Sequence, residues 1–337
     1  MTKKNLHAAG SSGDTLLGAG EAVLAFDVGG TDTKAALVDE HGALRETLRI
    51  PTRIDGARTA DHVIEDLTIL ARELGERHLE VAPAAAGLLV PGTVDDDGGV
   101  GIHSENLKWR EYPFRERAAA ALGLPVGFGH DVRWAGVAEF RLGAARDYDD
   151  VLVVTIGTGI AAAVFIGGRL YSGGGYAGEI GHDRVGDGPE CSCGGIGCLE
   201  AIASAASIAR RYTARTGIAV QGAREVLERK HRGDQNAAAA WETALDALAL
   251  GFSHAVALLA PQAIVVGGGL SEAGDELLQP LRERLEGILT IHRRPEIIRA
   301  RIGEDAGVIG SALRARDAAT AARFGGETRA SASGGSR

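Results

Sequence analysis

One supersecondary pattern occurs twice in this chain. An apolar run over residues 21–26 ends at Asp27 and enters Val28-Gly29-Gly30-Thr31, after which residues 33–38 form a second apolar run. The β-branched residues 151–155 likewise enter Gly157-Thr158-Gly159 and are followed by an apolar run over 160–166. Short β-branched runs around glycine turns read as hairpins. The repeat therefore predicts a duplicated α/β architecture, each half opening on a strand-turn-strand unit, with a cleft between the halves. The length agrees, since 337 residues at roughly 100–200 residues per domain make two domains.

The rest of the chain fits this frame. Residues 43–50 extend the first meander, 61–74 carry apolar positions at helical spacing, and 84–90 read as a buried strand stopped by Pro91-Gly92. A helix over 114–122, a strand over 125–128 and a helix over 132–142 follow. In the second half, helices are predicted over 204–215 and 237–260, the longer one with Trp241, Leu245, Leu248, Phe252 and Val256 on one face. Residues 263–266 form a strand entering Gly267-Gly268-Gly269, and a last helix spans about 305–322. Residues 1–20 and 323–337, rich in Gly, Ser and Ala, read as flexible tails.

Charge and cysteine usage narrow the function classes. A net charge of -9 argues against an electrostatic grip on nucleic acid or an anionic membrane, both of which need a basic face. There is no apolar leader segment near the N-terminus and no uninterrupted apolar stretch approaching the ~18 residues of a spanning helix. The 3 cysteines lie together at Cys191, Cys193 and Cys198, unlike the spread, even-numbered set of a secreted disulfide scaffold. A reducing, cytoplasmic setting and small-molecule chemistry are expected.

Five constellations carry that chemistry. In Asp27 to Lys34 the glycines allow backbone N–H groups to approach a phosphate, Thr31 adds a hydroxyl, and Asp27 could hold Mg²⁺ through water; a plain hairpin turn also satisfies the pattern. Gly157-Thr158-Gly159 repeats the motif, and two such cradles suit a nucleotide held between halves. His182 with Cys191, Cys193 and Cys198 supplies three thiols and an imidazole, enough to close a structural Cys₃His zinc site. Glu179 and Glu200 flank that cluster and could accept hydrogen bonds from sugar hydroxyls, with the second ring nitrogen of His182 as a donor. Asp131, at a strand-to-helix junction, could be a helix cap or a catalytic base, and Asn106 could lend an amide to a ligand or shape a loop.

These residues resemble the ROK family (repressors, open reading frames and kinases) of the actin-like ATPase, ribonuclease H-like superfamily. The resemblance runs over residues 23–315 and rests on DVGGTDTK (27–34), TIGTGI (155–160), GEIGH (178–182), CSCGGIGCLE (191–200) and VVGGGL (265–270). It implies a two-domain fold with ATP and sugar in the cleft. The expected division is a small domain over 21–131 joined by the helix at about 305–322, and a large domain over 132–304 with the zinc loop. Asp27, Gly29, Gly30, Thr31, Thr33 and Lys34 correspond to the first phosphate loop, Gly157, Thr158 and Gly159 to the second, and Gly267, Gly268 and Gly269 to the adenosine segment. Asp131 matches the catalytic base, while Asn106, His130, Asp131, Glu179, His182 and Glu200 match sugar-side positions.

The implied activity is ATP-dependent phosphorylation of the primary C6 hydroxyl of a hexose, glucose first, with Mg²⁺ and a structural Zn²⁺. N-acylhexosamine or N-acetylmannosamine kinase and a kinase of a C7-cyclitol are the alternatives. The family's repressors carry a winged helix-turn-helix before the first loop, and the residues preceding Asp27 are Gly/Ser-rich rather than basic and helical. A homo-oligomer, dimer or tetramer, is expected. The sequence departs from the family pattern in two places: His130 stands where glucokinase-type members have Asn, and the His182-to-Cys191 interval is one residue shorter than usual.

Overall fold

Each glycine turn closes an antiparallel hairpin, and each hairpin nucleates a five-stranded sheet. In the computed structural model, residues 17–332 are described, with side chains through Phe324. The chain begins with β1 (Val23–Val28), β2 (Asp32–Val38) and β3 (Leu44–Pro51), then α1 (Thr59–Arg77) and β4 (Ala85–Val90). Three short strands follow, β5 (Thr93–Asp95), β6 (Val100–His103) and β7 (Arg110–Tyr112), then α2 (Phe114–Leu122), β8 (Val126–His130) and α3 (Asp131–Leu142). The second half comprises β9 (Val151–Ile156), β10 (Ile160–Ile166), β11 (Arg169–Tyr171), α4 (Leu199–Ala203), α5 (Ala205–Thr216), α6 (Ala223–His231) and α7 (Gln235–Leu259). It ends with β12 (Ala263–Gly267), α8 (Asp275–Ile288), β13 (Glu296–Arg299) and α9 (Ala306–Ala332).

The two sheets have the same order, β3-β2-β1-β4-β8 and β11-β10-β9-β12-β13. In both, an antiparallel three-strand meander is extended by two parallel strands on the far side of its first strand. The parallel strands read as unbroken apolar runs because both faces are covered: all six residues of β4 and all five of β12 are buried. Strand β3, at an edge, alternates instead between exposed and half-buried positions.

Helices α3 and α9 form the layer between the sheets. On α9, Val308, Ala312, Ala315 and Ala319 pack on β1, β2 and β4, while Ile309 and Leu313 meet Trp134, Val137 and Ala138 of α3 above β9, β10 and β12. Two polar anchors fix α9. Ser311 Oγ accepts from Phe26 N and donates to Phe26 O, both at 3.0 Å, and the buried Glu139 of α3 accepts from Ile302 N at 2.7 Å and Arg301 N at 3.1 Å just before α9. On the outer faces, Val63, Leu67, Leu70 and Leu74 of α1 cover the first sheet. The second sheet carries the helices around α7, whose Trp241, Leu245, Leu248, Phe252 and Val256 are all buried. Helix α7 is the one described helix long and apolar enough to cross a membrane, and here it is the core of this lobe.

Several boundaries differ from the sequence expectation. The last helix continues to Ala332 rather than ending near 322. Residues 17–20 are tied down rather than loose, because Arg316 Nη1 donates to Leu17 O at 3.0 Å and Gly18 O at 2.9 Å, and Gly20 N donates to Glu40 O at 2.9 Å. Residues 1–16 and 333–337 of the expected tails lie outside the described residues. The three-stranded sheet β5-β6-β7 and helices α4, α6 and α8 had no counterpart in the sequence reading. Those strands span only three or four residues, too few to show a period of two.

Candidate active site

The two hairpin turns hold equivalent places in their sheets and are braced differently. Asp27 pairs with Lys34 and Val28 with Thr33, leaving Gly29-Gly30-Thr31-Asp32 as the tip, while Ile156 pairs with Ile160 around the one-residue-shorter Gly157-Thr158-Gly159. The first tip is held by Thr52, whose hydroxyl donates to Gly29 O at 2.8 Å and whose N–H donates to Thr31 O at 2.8 Å. The second is held by Glu200 at the start of α4, whose Oε2 accepts from Ile160 N at 2.9 Å, and by Ala205 N, which donates to Gly157 O at 2.9 Å. Beside it, Gly268 turns at φ +77° against Ile156. A Cβ built at Gly30, Gly157 or Gly269 would meet nothing within 4 Å, so packing does not demand glycine there and open space faces all three. Backbone bared toward such space is what a phosphate chain and an adenosine require. Of the other expected loop residues, Thr158 is exposed, whereas Thr33 is buried with its hydroxyl 3.0 Å from Thr52 Oγ1, and Lys34 donates to Glu304 O at 2.6 Å. Those last two brace the loop rather than line it.

Asp27, the penultimate residue of β1, lies beside the first turn of α9, where Gly307 approaches its carboxylate too closely to leave room for a side chain. Burial pushes its carboxyl up to about 7 and the charge of Asp131 adds to this, against the pull of Lys34 and Arg49. A buried carboxylate raised further by a second carboxylate is a group whose charge a divalent cation would stabilise.

At the end of β8, the cap of α3 is His130, not Asp131. The His130 Nδ1 accepts from Arg133 N at 3.3 Å, which fixes the proton on Nε2. Burial, with the Arg133 charge, depresses the His130 pKa to about 3, so the ring is neutral. Asp131 is therefore the first helical residue, with one carboxylate oxygen accepting Val132 N–H at 2.7 Å and the other free of partners among the described residues. Burial raises its carboxyl to about 6, opposed by Val132 N–H and by Arg133.

The acidic side of the site follows a short 3₁₀ turn, Ile180–His182. Glu179 precedes it. Burial raises the Glu179 carboxyl, His182 and Arg133 lower it, and Asp131 and Glu200 raise it further, so all four charges lie within electrostatic reach of Glu179. His182 turns Nδ1 toward Cys191 Sγ at 3.6 Å and Nε2 toward Glu179 Oε2 at 3.9 Å. The Cys193 and Cys198 sulfurs are 3.7 Å apart, and the four donor atoms all lie within 4.8 Å of one another. That is no disulfide, which needs about 2.05 Å, but it matches the ~3.8 Å sulfur separation that tetrahedral Zn–S bonds of about 2.3 Å impose. Burial and the adjoining thiols push Cys198 up to about 12, a penalty that a bound cation reverses. The donor set fits zinc.

A sequence model of the ROK family matches residues 23–318. The chain belongs to the ROK family. It is 32% identical over 329 residues to a glucokinase of Halalkalibacterium halodurans, covering 90% of this chain and 97% of that one. An N-acetylmannosamine kinase of Escherichia fergusonii is 30% identical over 298 residues, covering 87% and 98%. Among solved structures, a ROK family glucokinase from Streptomyces griseus in complex with glucose and AMPPNP superimposes with a TM-score of 0.76 at 28% identity, over 88% of this chain and 99% of that one. The actin-like ATPase fold is thus the fold of this ROK protein, and the repeated sheet order is its duplication.

Asn106 is exposed in the turn between β6 and β7 and its amide has no partner among the described residues. The neighbouring Ser104 packs against Gly92 just past the end of β4, whose Val90 pairs with His130, so the turn lies at the same end of the sheet as Asp131. Sequence reasoning missed Asp96 and Arg133. Asp96 Oδ1 accepts from His130 N at 3.1 Å and Oδ2 from Arg133 Nη2 at 2.7 Å. Nothing in the sequence marks either residue, since an arginine early in a helix normally reads as solvated charge. A cavity of about 500 Å³ between α8 and β13, lined by Arg282, Leu285, Leu289 and Ile297 among others, includes none of the site residues.

Proposed function

We propose that this ROK family member is an ATP-dependent hexose kinase that phosphorylates the primary C6 hydroxyl of a sugar, with glucose as the leading substrate. The observation that carries the reading is Asp131. One oxygen of its carboxylate is free, it sits at a helix start, and it lies in electrostatic reach of Asp27 on the loop side and of Glu179 on the acidic side. A group with phosphate cradles on one hand and hydroxyl acceptors on the other is placed to join the two substrates. The glucokinase relatives agree with it.

In this reading Asp131 orients the C6 hydroxyl toward the γ-phosphorus and takes its proton as the O–P bond forms and the bond to ADP breaks. An ordinary carboxylate suffices, because phosphoryl transfer passes through a loose transition state with little early deprotonation. The N–H groups of Gly30 and Thr31 and of Thr158 and Gly159 hold the phosphates, while those of Gly29 and Gly157 close their own turns on Asp32 O and Gly159 O, and Gly267 to Gly269 flank the adenosine. Asp27 would hold Mg²⁺, which when bound neutralises charge on the transferring phosphates. Glu179 and Glu200 accept from sugar hydroxyls, and the Nε2–H groups of His130 and His182 donate to sugar oxygens. Zinc on His182, Cys191, Cys193 and Cys198 would fix the backbone from which Glu179 and Glu200 project, without an open coordination position of its own.

A second reading, N-acetylmannosamine kinase, draws on the Escherichia fergusonii relative and on His130, an imidazole where the glucokinase pattern has an amide. A buried polar contact of that kind can change discrimination by orders of magnitude. Coupled ADP release with Mg·ATP, measured over glucose, mannose, fructose, allose, N-acetylmannosamine, N-acetylglucosamine and a carbasugar, decides between them. The highest kcat/KM with glucose supports the first reading, and the highest with N-acetylmannosamine replaces it by the second. Sugar-independent ADP release across the whole panel overturns both. Free thiols in a zinc-ligand arrangement suit the reducing cytoplasm, where we place the protein as a homo-oligomer without nucleic-acid or membrane partners; light scattering against the 34.8 kDa chain and a DNA gel shift test those points.

A further inference from the structure

Arg133 is one of the largest fully buried side chains, with 1% of its surface exposed. Its guanidinium reaches two separate segments through three acceptors. Nη2 donates to Asp96 Oδ2 at 2.7 Å and to Val94 O at 3.4 Å, both on the hairpin that starts with β5, and Nη1 donates to Gly175 O at 3.1 Å, in the glycine turn Gly173–Gly175 of the other half. Its own backbone N–H caps onto His130, and Asp96 closes the ring by accepting from His130 N. The Nε–H has no hydrogen-bond partner among the described residues. A buried cation facing one partly exposed carboxylate, with a donor left over, is a poor device for stability alone.

The contact between the halves at this point is direct. Gly175 has φ +97°, and a Cβ there would collide with Val94 O, so the turn rides on β5 with no side chain between them. Four residues on, the same segment presents Glu179, and then His182. Arg133 thus stands behind two groups at once: the His130–Asp131 pair through Asp96 and the helix start, and Glu179 through the Gly175 carbonyl. It makes no hydrogen bond to residues 27–34, 155–160 or 265–270.

We propose that Arg133 is a positioning residue for the sugar half of the site, clamping the Gly173–Gly175 turn to the β5 hairpin and so setting Glu179 against His130 and Asp131. The clamp needs a planar fork with several fixed donors, which lysine lacks. The role rests on the sugar-kinase reading, because the groups it sets are those assigned to the sugar.

The test is steady-state kinetics of Arg133→Met, Arg133→Lys, Asp96→Asn and the double variant, with glucose and ATP each varied at saturation of the other, and zinc content and Tm recorded for each. Arg133→Met is expected to lower kcat/KM for the sugar about 100-fold, the scale of an ångström of misplacement, while KM for ATP moves less than about threefold. Arg133→Lys should not rescue. Asp96→Asn should shift the sugar parameters in the same direction, and the double variant should be no worse than Arg133→Met, since the two residues act through one clamp. Unchanged sugar kinetics, an equal loss on the ATP side, full rescue by lysine or strict additivity each overturn the proposal. If Arg133→Met does not fold, Asp96→Asn decides, and wild-type sugar kinetics in that variant overturn it. A wild-type protein that phosphorylates no sugar overturns the kinase reading instead, so the two failures are distinct.

Discussion

The two glycine hairpins hold equivalent places in their sheets and differ in chemistry at one strand position. Strands β1 and β9 have the same burial pattern, fully buried except at the penultimate residue. That residue is Asp27 in the first and Thr155 in the second. The first carries a carboxylate raised to about 7 beside α9; the second carries a neutral hydroxyl, and the carboxylate beside it, Glu200, braces the turn with one oxygen and leaves the other toward the sugar side. Duplication therefore supplies two cradles of N–H groups, and the asymmetry between them decides where a cation and the reacting charge can sit.

The largest effect should come from the group outside both hairpins. Asp131→Ala is expected to lower kcat by about 10²–10⁴-fold, the usual range of general-base help plus lost orientation, while zinc content and Tm stay near wild type. Near-wild-type turnover in that variant would remove the central assignment.

The comparison itself is broken or sharpened by a matched pair. Asp27→Asn should cost about 10²–10³-fold in kcat, as loss of a cation held at the phosphates implies, with activity weakly dependent on added Mg²⁺. Thr155→Val, at the equivalent place, should cost less than about tenfold, because a single neutral hydrogen bond is worth roughly 0.5–1.5 kcal/mol. Equal losses in the two variants would mean that the hairpins are chemically equivalent and that Asp27 has no special charge to carry.

Zinc separates the halves in another way. Stripping the metal with a chelator, or Cys191→Ser, should lower the Tm of the second lobe and remove about one zinc per chain, with sugar kinetics damaged before ATP binding, because the cluster fixes Glu179 and Glu200 but touches neither the first hairpin nor α9. ATP affinity lost in step with sugar affinity would contradict this separation.

How legible these parts were in the sequence follows from how local they are. The thiols of CSCGGIGC and both glycine turns are contiguous, so composition and spacing expose them. His130 and Asp131 are adjacent too, yet which of them caps α3 was not readable, because both are plausible caps and the choice depends on Asp96, which accepts the His130 N–H from 34 residues away. Arg133 is the clearest loss. Its partners lie 37 to 42 residues distant, on opposite sides, and only the fold turns a charge that pattern reading assigns to solvent into a buried clamp. The strand order was hidden for the same reason, since parallel pairing joins β4 to β8 and β12 to β13 across intervening helices.

The smallest predicted effect is on stability, and it separates the hairpins without reference to catalysis. In the ligand-free protein Asp27 and Asp131 titrate at about 7 and about 6, both above the ordinary 3.8 of an unfolded aspartate. Between about pH 4 and pH 7 the folded state therefore binds more protons than the unfolded state, so their contribution to stability is present in full below pH 4 and is lost as pH rises through 6 to 7. Asp27→Asn removes its share of that loss. The variant should melt a few degrees above wild type at pH 7.5, at about 2–4 °C per kcal/mol for a lobe of this size, and the gap should close toward pH 4. Adding Mg·ATP should narrow the gap at pH 7.5, because bound cation stabilises the wild-type carboxylate and not the amide. Thr155→Val should show no such pH-dependent gap. Thermal melts of the three proteins from pH 4 to 8 measure this, and a gap for Asp27→Asn that is flat with pH would show that the first hairpin carries no more strained charge than the second.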